Sequence, residues 1–179
     1  LIYLNNNAVS NEIISEIEES WNQTKSMSGE FQQTDQDGII LKGKFYFVKP
    51  HNSRFEYFNK NENIITNKSL LRIVDQNGYQ IDSYPFSDNI LKKILSEEIS
   101  IRKEFEIIDL KSSDKLHSVL LRLKNQNNES SILLSFDRIS LDLKKWQILD
   151  EFGNKTVLEF TKIKKNIFIS QNLFVVKYR

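Results

Sequence analysis

The sequence contains no cysteine, and that absence excludes several kinds of chemistry. Without thiols the chain has no disulfide, no thiolate nucleophile and no zinc site with cysteine ligands. Two prolines and five glycines among 179 residues are too few for a disordered or low-complexity chain. No apolar run approaches the length of a membrane-spanning helix. The composition is that of a folded chain, and its length fits one domain most simply.

The sequence also lacks an excess of either positive or negative charge. The 25 basic and 24 acidic residues leave a net charge of +1, so nothing marks the chain as a nucleic-acid binder. No serine lies in a G-x-S-x-G elbow, and no phosphate-binding loop occurs. His51 and His117 lie far apart, outside any metal-ligand spacing, and both are predicted at the surface. The sequence therefore predicts no enzyme activity, no metal site and no cofactor.

Aromatic side chains are what the sequence has in quantity, with 12 Phe and 6 Tyr. Many lie between Gly29 and Tyr57. From Leu41 to Phe47 the odd positions are apolar or glycine, whereas Lys42 and Lys44 occupy the even positions between them. This alternation predicts half-buried β-strands. Periodicity alone favours core packing for such an aromatic stripe, and the lining of a ligand cavity is the alternative.

Two segments have the three- and four-residue spacing of amphipathic helices. The first runs from Ser10 to Met27, and Gly29 ends its pattern. The second, from Ser87 to Glu98, is short and interrupts a series of strands. Its apolar stripe consists of Ile90, Leu91, Ile94 and Leu95. We expect both helices to bury their apolar faces against the open face of a sheet.

Short strands and polar turns occupy the rest of the chain, which predicts an antiparallel meander and not βαβ units. The predicted strands are 29–34, 41–48, 54–57, 64–66, 70–74, 79–84, 105–110, 116–123, 131–136, 141–149, 156–163 and 174–176. No internal repeat and no Ser/Gly/Pro linker divides this series.

Short motifs follow one another in a fixed order along nearly the whole chain. They are Gly29-Glu30-Phe31-Gln32-Gln33, Gly43-Lys44-Phe45, Lys49-Pro50, Arg54-Phe55-Glu56-Tyr57, the Asp75–Gly78 hairpin and Asp150-Glu151-Phe152-Gly153. In this order and spacing they resemble the periplasmic outer-membrane lipoprotein carrier family, LolA. No single motif is specific to the family on its own, but the order and spacing of all of them together are.

The resemblance implies a mainly β (α+β) fold. This fold is a strongly curved, incomplete antiparallel β-barrel whose concave apolar face is lidded by an N-terminal helix and a short mid-chain helix. It implies a single carrier-like domain over residues 1–179, with an irregular N-terminal arm at 1–9. It also implies a periplasmic protein whose signal peptide has been removed, and the apolar residues 1–4 would be a remnant of that peptide.

The function implied by the resemblance is transport without catalysis. A carrier of this family shields the acyl chains of lipoproteins and moves them from the inner to the outer membrane. The implied partners are an inner-membrane lipoprotein-releasing ABC transporter and an outer-membrane receptor lipoprotein, and the implied state is a monomer. The alternative is a general lipid-binding protein or a non-carrier envelope interaction domain of the same fold, whose concavity is filled by its own side chains.

The resemblance also assigns site residues. The lipid-binding cavity would be lined by Phe31, Phe45, Phe47, Phe55 and Tyr57, and the lid would carry Ile90, Leu91, Ile94 and Leu95. The family's arginine latch, which bonds the lid, corresponds to Lys49, and lysine lacks the planar fork that bonds several carbonyls. Ser53 replaces a family phenylalanine that contacts the inner-membrane donor. These two departures predict a weaker latch and an altered donor contact.

Overall fold

A computed structural model describes residues 6–85, 90–124, 130–150 and 152–179 of the chain. The helices are α1 (Asn6–Gln23), α2 (Ile90–Ile94) and α3 (Ile101–Glu104), and a 3₁₀ turn spans Gln171–Phe174. The strands are β1 (Ser26–Thr34), β2 (Ile40–Val48), β3 (Asn52–Tyr57), β4 (Glu62–Asn67), β5 (Leu70–Asp75), β6 (Gln80–Pro85), β7 (Phe105–Ser112), β8 (Leu116–Leu123), β9 (Ser131–Asp137), β10 (Leu143–Leu149) and β11 (Lys155–Lys165). None of these described helices is long and apolar enough to cross a membrane.

The strands form one antiparallel sheet in the order β6-β5-β4-β3-β2-β1-β11-β10-β9-β8-β7. Each half of the chain is therefore a meander, and the halves join where β1 pairs with β11. The predicted antiparallel meander is confirmed. Strands β6 and β7 are consecutive in the chain but lie at opposite edges of the sheet. The segment that connects them must therefore cross the sheet.

The sheet is strongly curved but does not close into a barrel. Phe55 on β3 and Trp146 on β10 are separated by four strand spacings, about 19 Å in a flat sheet. Their ring centroids are only 6.3 Å apart. Phe47 on β2 stacks on the same tryptophan at 5.8 Å. These inward-facing rings meet because the sheet curls around them, which confirms the incomplete barrel.

Strand β2 shows how the sequence pattern produces this interior. Gly43, Phe45 and Phe47 are buried, whereas Lys42 and Lys44 are exposed. Successive side chains of a strand point to opposite faces, so the lysines meet water on the convex side. The aromatic rings bury large apolar areas on the concave side. The predicted alternation is confirmed.

Helices cover the concave face. Ile14, Ile17 and Trp21 of α1 are buried in the same apolar cluster as the aromatic residues of the sheet. Ile90 and Ile94 of α2 belong to that cluster as well. Because both helices turn their apolar stripes towards the sheet, the expected helical lid is confirmed.

Helix α1 differs from its prediction at both ends. It spans Asn6–Gln23 instead of Ser10–Met27. Residues 6–9 were expected in an irregular arm, but they contain no glycine or proline and continue the helix. At the other end, Ser26 and Met27 pair with β2, and this pairing stops the helix early.

The mid-chain helix is shorter than predicted. Helix α2 spans only Ile90–Ile94, in place of Ser87–Glu98, and residues 86–89 lie outside the described part of the chain. After α2 the Leu95 carbonyl accepts a hydrogen bond from the His51 backbone N–H at 2.8 Å. The connection then forms a separate short helix, α3, which periodicity did not predict because it has only four residues.

The predicted last strand, 174–176, is wrong. Gln171–Phe174 instead forms a 3₁₀ turn on the convex face of the sheet. Ile169 and Phe174 pack there against Ile65 and Val74, whose side chains point outward from β4 and β5. The apolar residues of this C-terminal segment bury against a face of the sheet, and its pairing is limited to a parallel bridge between Lys177 and Tyr79, next to β6.

One histidine prediction is also wrong. His117 is buried on β8, and its Nδ1 lies 2.7 Å from the Ser112 hydroxyl. A buried imidazole next to a hydroxyl is a satisfied structural group. His51 is half-buried in the turn between β2 and β3.

We predict that Gly43→Ala destabilises the fold by about 2–3 kcal/mol, because overpacking a tight core forces the backbone to shift. A Cβ at Gly43 would overlap the Glu56 carbonyl oxygen and lie 2.8 Å from a Phe31 ring carbon. Urea denaturation would measure the loss. Gly38→Asn is the control, since a Cβ at Gly38 would have no neighbour within 4 Å and asparagine tolerates its φ of +79°. Equal losses for both variants would contradict the close contact.

Candidate functional site

An apolar cavity of about 160 Å³ lies between the concave face and α2. Five strands and the α2 segment contribute to its wall. The lining residues are Ser53, Phe55, Tyr57, Ile64, Thr66, Leu71, Leu91, Leu95, Trp146, Ile148, Thr156 and Leu158. Since most of these are aliphatic or aromatic, the cavity suits an apolar ligand.

The size of the cavity limits what it can hold in this form. An engineered apolar cavity of about 150 Å³ stays dry and binds benzene, whereas pockets for drug-sized ligands measure about 300–1,000 Å³. At about 160 Å³ the cavity has room for one small apolar group. A long acyl chain would enter only if the lid moved away from the sheet.

The polar side chains of the wall are largely satisfied within the protein. Ser53 Oγ and Thr66 Oγ1 lie 2.6 Å apart, and Thr66 Oγ1 donates to the His51 carbonyl at 3.1 Å. The Tyr57 hydroxyl donates to Gln33 Oε1 at 2.8 Å. Burial raises the pKa of Tyr57 to about 12, so the phenol stays neutral at ordinary pH. These groups therefore add little polarity to the cavity.

The predicted cavity residues divide into two groups. Phe55 and Tyr57 line the cavity, whereas Phe31, Phe45 and Phe47 do not. Phe31 packs edge-on against both lining residues, at 5.2 Å from each ring. Phe45 and Phe47 are 0% and 3% exposed within the core. Phe31, Phe45 and Phe47 thus pack behind the cavity wall, and their contact with a ligand stays a prediction.

The predicted lid residues lie together on the concave side. Ile90, Ile94 and Leu95 are buried in the apolar cluster, and Leu91 is partly buried against it. Leu91 and Leu95 line the cavity directly. The sequence therefore identified the residues of α2 that face the sheet.

Lys49 contacts helix α1 and not α2. Its ammonium donates to the Trp21 carbonyl at 2.5 Å, at the C-terminal end of α1. The same nitrogen lies 4.5 Å from the centre of the Trp21 ring. A cation at a helix C-terminus and over an indole face is favoured electrostatically. How Lys49 acts as a latch stays a prediction, but its partner is the N-terminal helix.

Trp21 connects this lysine to the lid. Its indole Nε1 donates to the Ile94 carbonyl at 2.7 Å, at the end of α2. Trp21 is 6% exposed, so this bond is shielded from water. Lys49, Trp21 and Ile94 therefore form a continuous chain of contacts from the sheet through α1 to α2.

Polar side chains of α1 bind the connection that follows α2. The Asn22 amide donates to the Ile99 carbonyl and accepts from its N–H, both at 2.9 Å. Glu18 Oε2 accepts from the Ile101 N–H at 2.6 Å. Side-chain bonds to backbone groups outside helices satisfy donors and acceptors that would otherwise lack partners. Helix α1 therefore holds the described part of the connection, from α2 to α3, against the sheet.

The environment of Lys49 lowers its pKa from the usual 10.5 to about 8. Burial is the main cause, and the nearby Lys25 ammonium lowers it further. Glu97 and Glu98 act in the opposite direction. Lys49 is thus a buried cation whose charge becomes labile at mildly alkaline pH.

Sequence reasoning missed the roles of Trp21, Asn22, Glu18 and Trp146. The spacing of the first predicted helix includes Trp21 only as one apolar position, although a buried tryptophan usually needs an acceptor for its N–H. That rule could have directed attention to a carbonyl on a covering segment. Trp146 lines the cavity, and its Nε1 is buried with no hydrogen-bond partner in the described residues.

Comparison with known families places the chain next to lipoprotein carriers. The family model described as outer membrane lipoprotein carrier protein LolA matches residues 22–177. The matched region includes the strands of the sheet, α2 and α3, and begins inside α1. The chain is also 26% identical over 176 residues to the uncharacterized protein RP864 of Rickettsia prowazekii (strain Madrid E), covering 98% of this chain and 79% of that relative.

Solved structures with a similar fold have low sequence identity. An uncharacterized conserved protein from Thermus thermophilus is 12% identical with a TM-score of 0.53, over 95% of this chain and 99% of that one. A DUF1329 family protein from Desulfovibrio piger ATCC 29098 is 8% identical with a TM-score of 0.53, over 94% and 96%. At these identities the likeness shows a shared fold alone.

We predict that Trp21→Phe loosens α2, since it deletes the hydrogen bond to the Ile94 carbonyl but keeps an aromatic ring. Losing one such bond costs about 1 kcal/mol. Amide hydrogen exchange should therefore be faster at Leu95, whose N–H bonds the Leu91 carbonyl at 2.9 Å. Trp146→Phe is the matched control because the Trp146 N–H has no acceptor in the described residues. Similar acceleration in both variants would argue against the Trp21 bond.

A second prediction concerns the pH dependence of stability. Between about pH 8 and pH 10.5 the folded state loses the Lys49 proton while the unfolded chain keeps it. The unfavourable burial of charge is then relieved, so stability rises with pH across this window. Denaturation of the wild type and of Lys49→Met would measure it, and the difference in unfolding free energy should shift in favour of the wild type. A constant or declining difference would show that burial does not lower this pKa.

Proposed function

The chain belongs to the outer membrane lipoprotein carrier family, LolA, and on that premise we propose that it is a periplasmic carrier of lipoprotein acyl chains. The acyl chains occupy the apolar cavity between the sheet and α2 while the lipoprotein is transferred from the inner to the outer membrane. An inner-membrane ABC transporter supplies the cargo and an outer-membrane receptor lipoprotein accepts it. The protein acts as a monomer and performs no catalysis.

The observation that supports this proposal most directly is the apolar cavity under a separable lid. Leu91 and Leu95 of the α2 segment close one side, and β3 and β10 close the other through Phe55 and Trp146. Each acyl CH₂ that leaves water gains about 0.8 kcal/mol, so a carrier needs an apolar interior to compete with the membrane. When no cargo is present, the lid keeps that interior away from water.

Loading requires the lid to move. Acyl chains need more volume than the present 160 Å³. Helix α2 has only five residues and is attached by a few hydrogen bonds, among them those from Trp21 and His51. Separating so short an element from the sheet exposes a few aliphatic side chains, and the incoming acyl chains cover the same surface. The exchange therefore has a small net free energy in either direction.

A second function is favoured by the packed interior. Phe31, Phe45 and Phe47 fill part of the concavity with their own rings, and the remaining space is small. This is the expected property of a non-carrier envelope interaction domain of the same fold, whereas the remaining alternative, a general lipid-binding protein, would use the cavity as a carrier does. In that case the concave face would never open to hold acyl chains.

Binding of an apolar fluorophore to delipidated protein distinguishes the two functions. The carrier function predicts micromolar binding that an acyl lipid displaces competitively. Leu91→Glu places a carboxylate at the cavity and should weaken binding or transfer by more than about tenfold, because desolvating that charge is costly. Ile139→Glu is the control, since Ile139 is 93% exposed in a turn. A folded wild-type protein that binds no probe would favour the interaction domain.

A further inference from the structure

A second depression lies on the convex face of the sheet, on the other side of the strands that form the cavity wall. It is an open groove of about 620 Å³ between the C-terminal segment and the β3–β5 region. Its lining residues are Pro50, His51, Asn52, Asn67, Lys68, Arg72, Gln171, Phe174, Val175, Val176 and Tyr178. We refer to it as the convex groove.

The convex groove and the apolar cavity use opposite faces of the same strands. On β5, Leu71 lines the cavity, whereas its neighbour Arg72 lines the convex groove. On β4, Thr66 and Asn67 divide in the same way. Neighbouring side chains of a strand point to opposite faces, so a ligand in the groove does not touch cavity contents.

The charges around the convex groove are positive. Lys68 and Arg72 line it and no carboxylate is among the lining residues, whereas His51 lines it without adding a charge at neutral pH. Burial lowers the pKa of His51, and the positive charges of Lys92 and Lys93 lower it further. The lysines of α2 thus add to the positive potential at this end of the groove.

Two polar atoms in the convex groove have no partner among the described residues. Arg72 donates through Nη1 to Asn67 Oδ1 at 2.6 Å, but its buried Nε donates to nothing. His51 Nδ1 is likewise buried without a partner. An unpaired buried donor on a charged group is unfavourable, and each such case calls for an explanation. Because this Nε is shielded, an oxyanion in the groove would bind the part of the Arg72 side chain that lines it, as guanidinium groups commonly bind phosphate.

The rim next to these basic residues is apolar. Val175 is 58% exposed and Tyr178 is 67% exposed, although both lie against the groove. Tyrosine is favoured where an apolar environment meets a wet one, as at a membrane surface. A free anion would meet only the basic wall, whereas an anionic lipid in a bilayer offers a phosphate and an apolar layer together.

We propose that the convex groove is a second binding site, in which Arg72 and Lys68 bind the phosphate of an anionic phospholipid headgroup while Val175 and Tyr178 contact the outer acyl layer. The site docks the protein on a membrane surface with its convex side. Docking there leaves the cavity on the opposite face of the sheet. The proposal does not depend on what the cavity holds.

Cosedimentation with lipid vesicles tests this site. The wild type should bind vesicles of phosphatidylcholine with phosphatidylglycerol, bind pure phosphatidylcholine vesicles much less, and dissociate as salt is raised. Lys68→Gln and Arg72→Gln should each weaken binding about fivefold, the effect expected per basic residue near an anionic surface. Lys68 is exposed in a turn, so its replacement should leave the fold intact.

Arg122→Gln is the matched control. Arg122 lies on β8 in the other half of the sheet and also has an unpaired Nε, but Glu106 lies 3.8 Å from it and it does not line the convex groove. Its replacement changes the net charge equally and should leave vesicle binding unchanged. Equal weakening by Arg122→Gln, or equal binding to uncharged vesicles, would overturn the proposal. Binding of inorganic phosphate or an acidic peptide without vesicle binding would overturn it too, because the site would then serve another anion.

Discussion

The topology of the sheet imposes the constraint on which the rest depends. Strands β6 and β7 follow one another in the chain but occupy the two edges of an eleven-stranded sheet, so their connection must cross a face. It crosses the concave face, where Ile90 and Ile94 of α2 are buried. Burying each such side chain contributes about 1.5–3 kcal/mol. The strand order therefore requires a segment that covers the concave face, and this segment is the lid. The curvature of the sheet produces the apolar interior beneath it.

The alternation of apolar and polar residues predicted nearly all of the sheet, because strands such as β2 and β8 bury one face more deeply than the other. It failed at the C-terminal segment, whose apolar residues pack on a face of the sheet and which pairs only through a bridge at Lys177. Phe174 and Val176 alternate like a strand, yet Phe174 packs against Ile65 on the convex side. Periodicity predicts which residues are buried, but it does not predict which part of the protein they pack against. The same limit applies to α1, whose end was set by the pairing of Met27 with β2.

The sequence predicted which kinds of residue lie near the cavity, but it did not predict which of them reach the cavity surface. Phe45 and Phe55 belong to one aromatic stripe and pair directly across β2 and β3, but only Phe55 reaches the cavity. Which ring lies deeper depends on the curvature of the sheet, and this involves strands more than 80 residues apart in the chain, such as β3 and β10. For Lys49 the family resemblance predicted a bond to the lid, whereas its ammonium bonds the Trp21 carbonyl of α1. The indole of that residue then continues the contact to α2.

The covalent connection of α2 to both edges of the sheet has a consequence for affinity. A lid that opens remains tethered, so it stays close to the cavity at a high effective concentration. It is then an intramolecular competitor of any ligand in the cavity. The measured dissociation constant equals the intrinsic constant divided by the fraction of open molecules. In the proposed carrier, every contact that holds α2 closed, including the Trp21 bond to Ile94, would thereby weaken the measured affinity for the ligand.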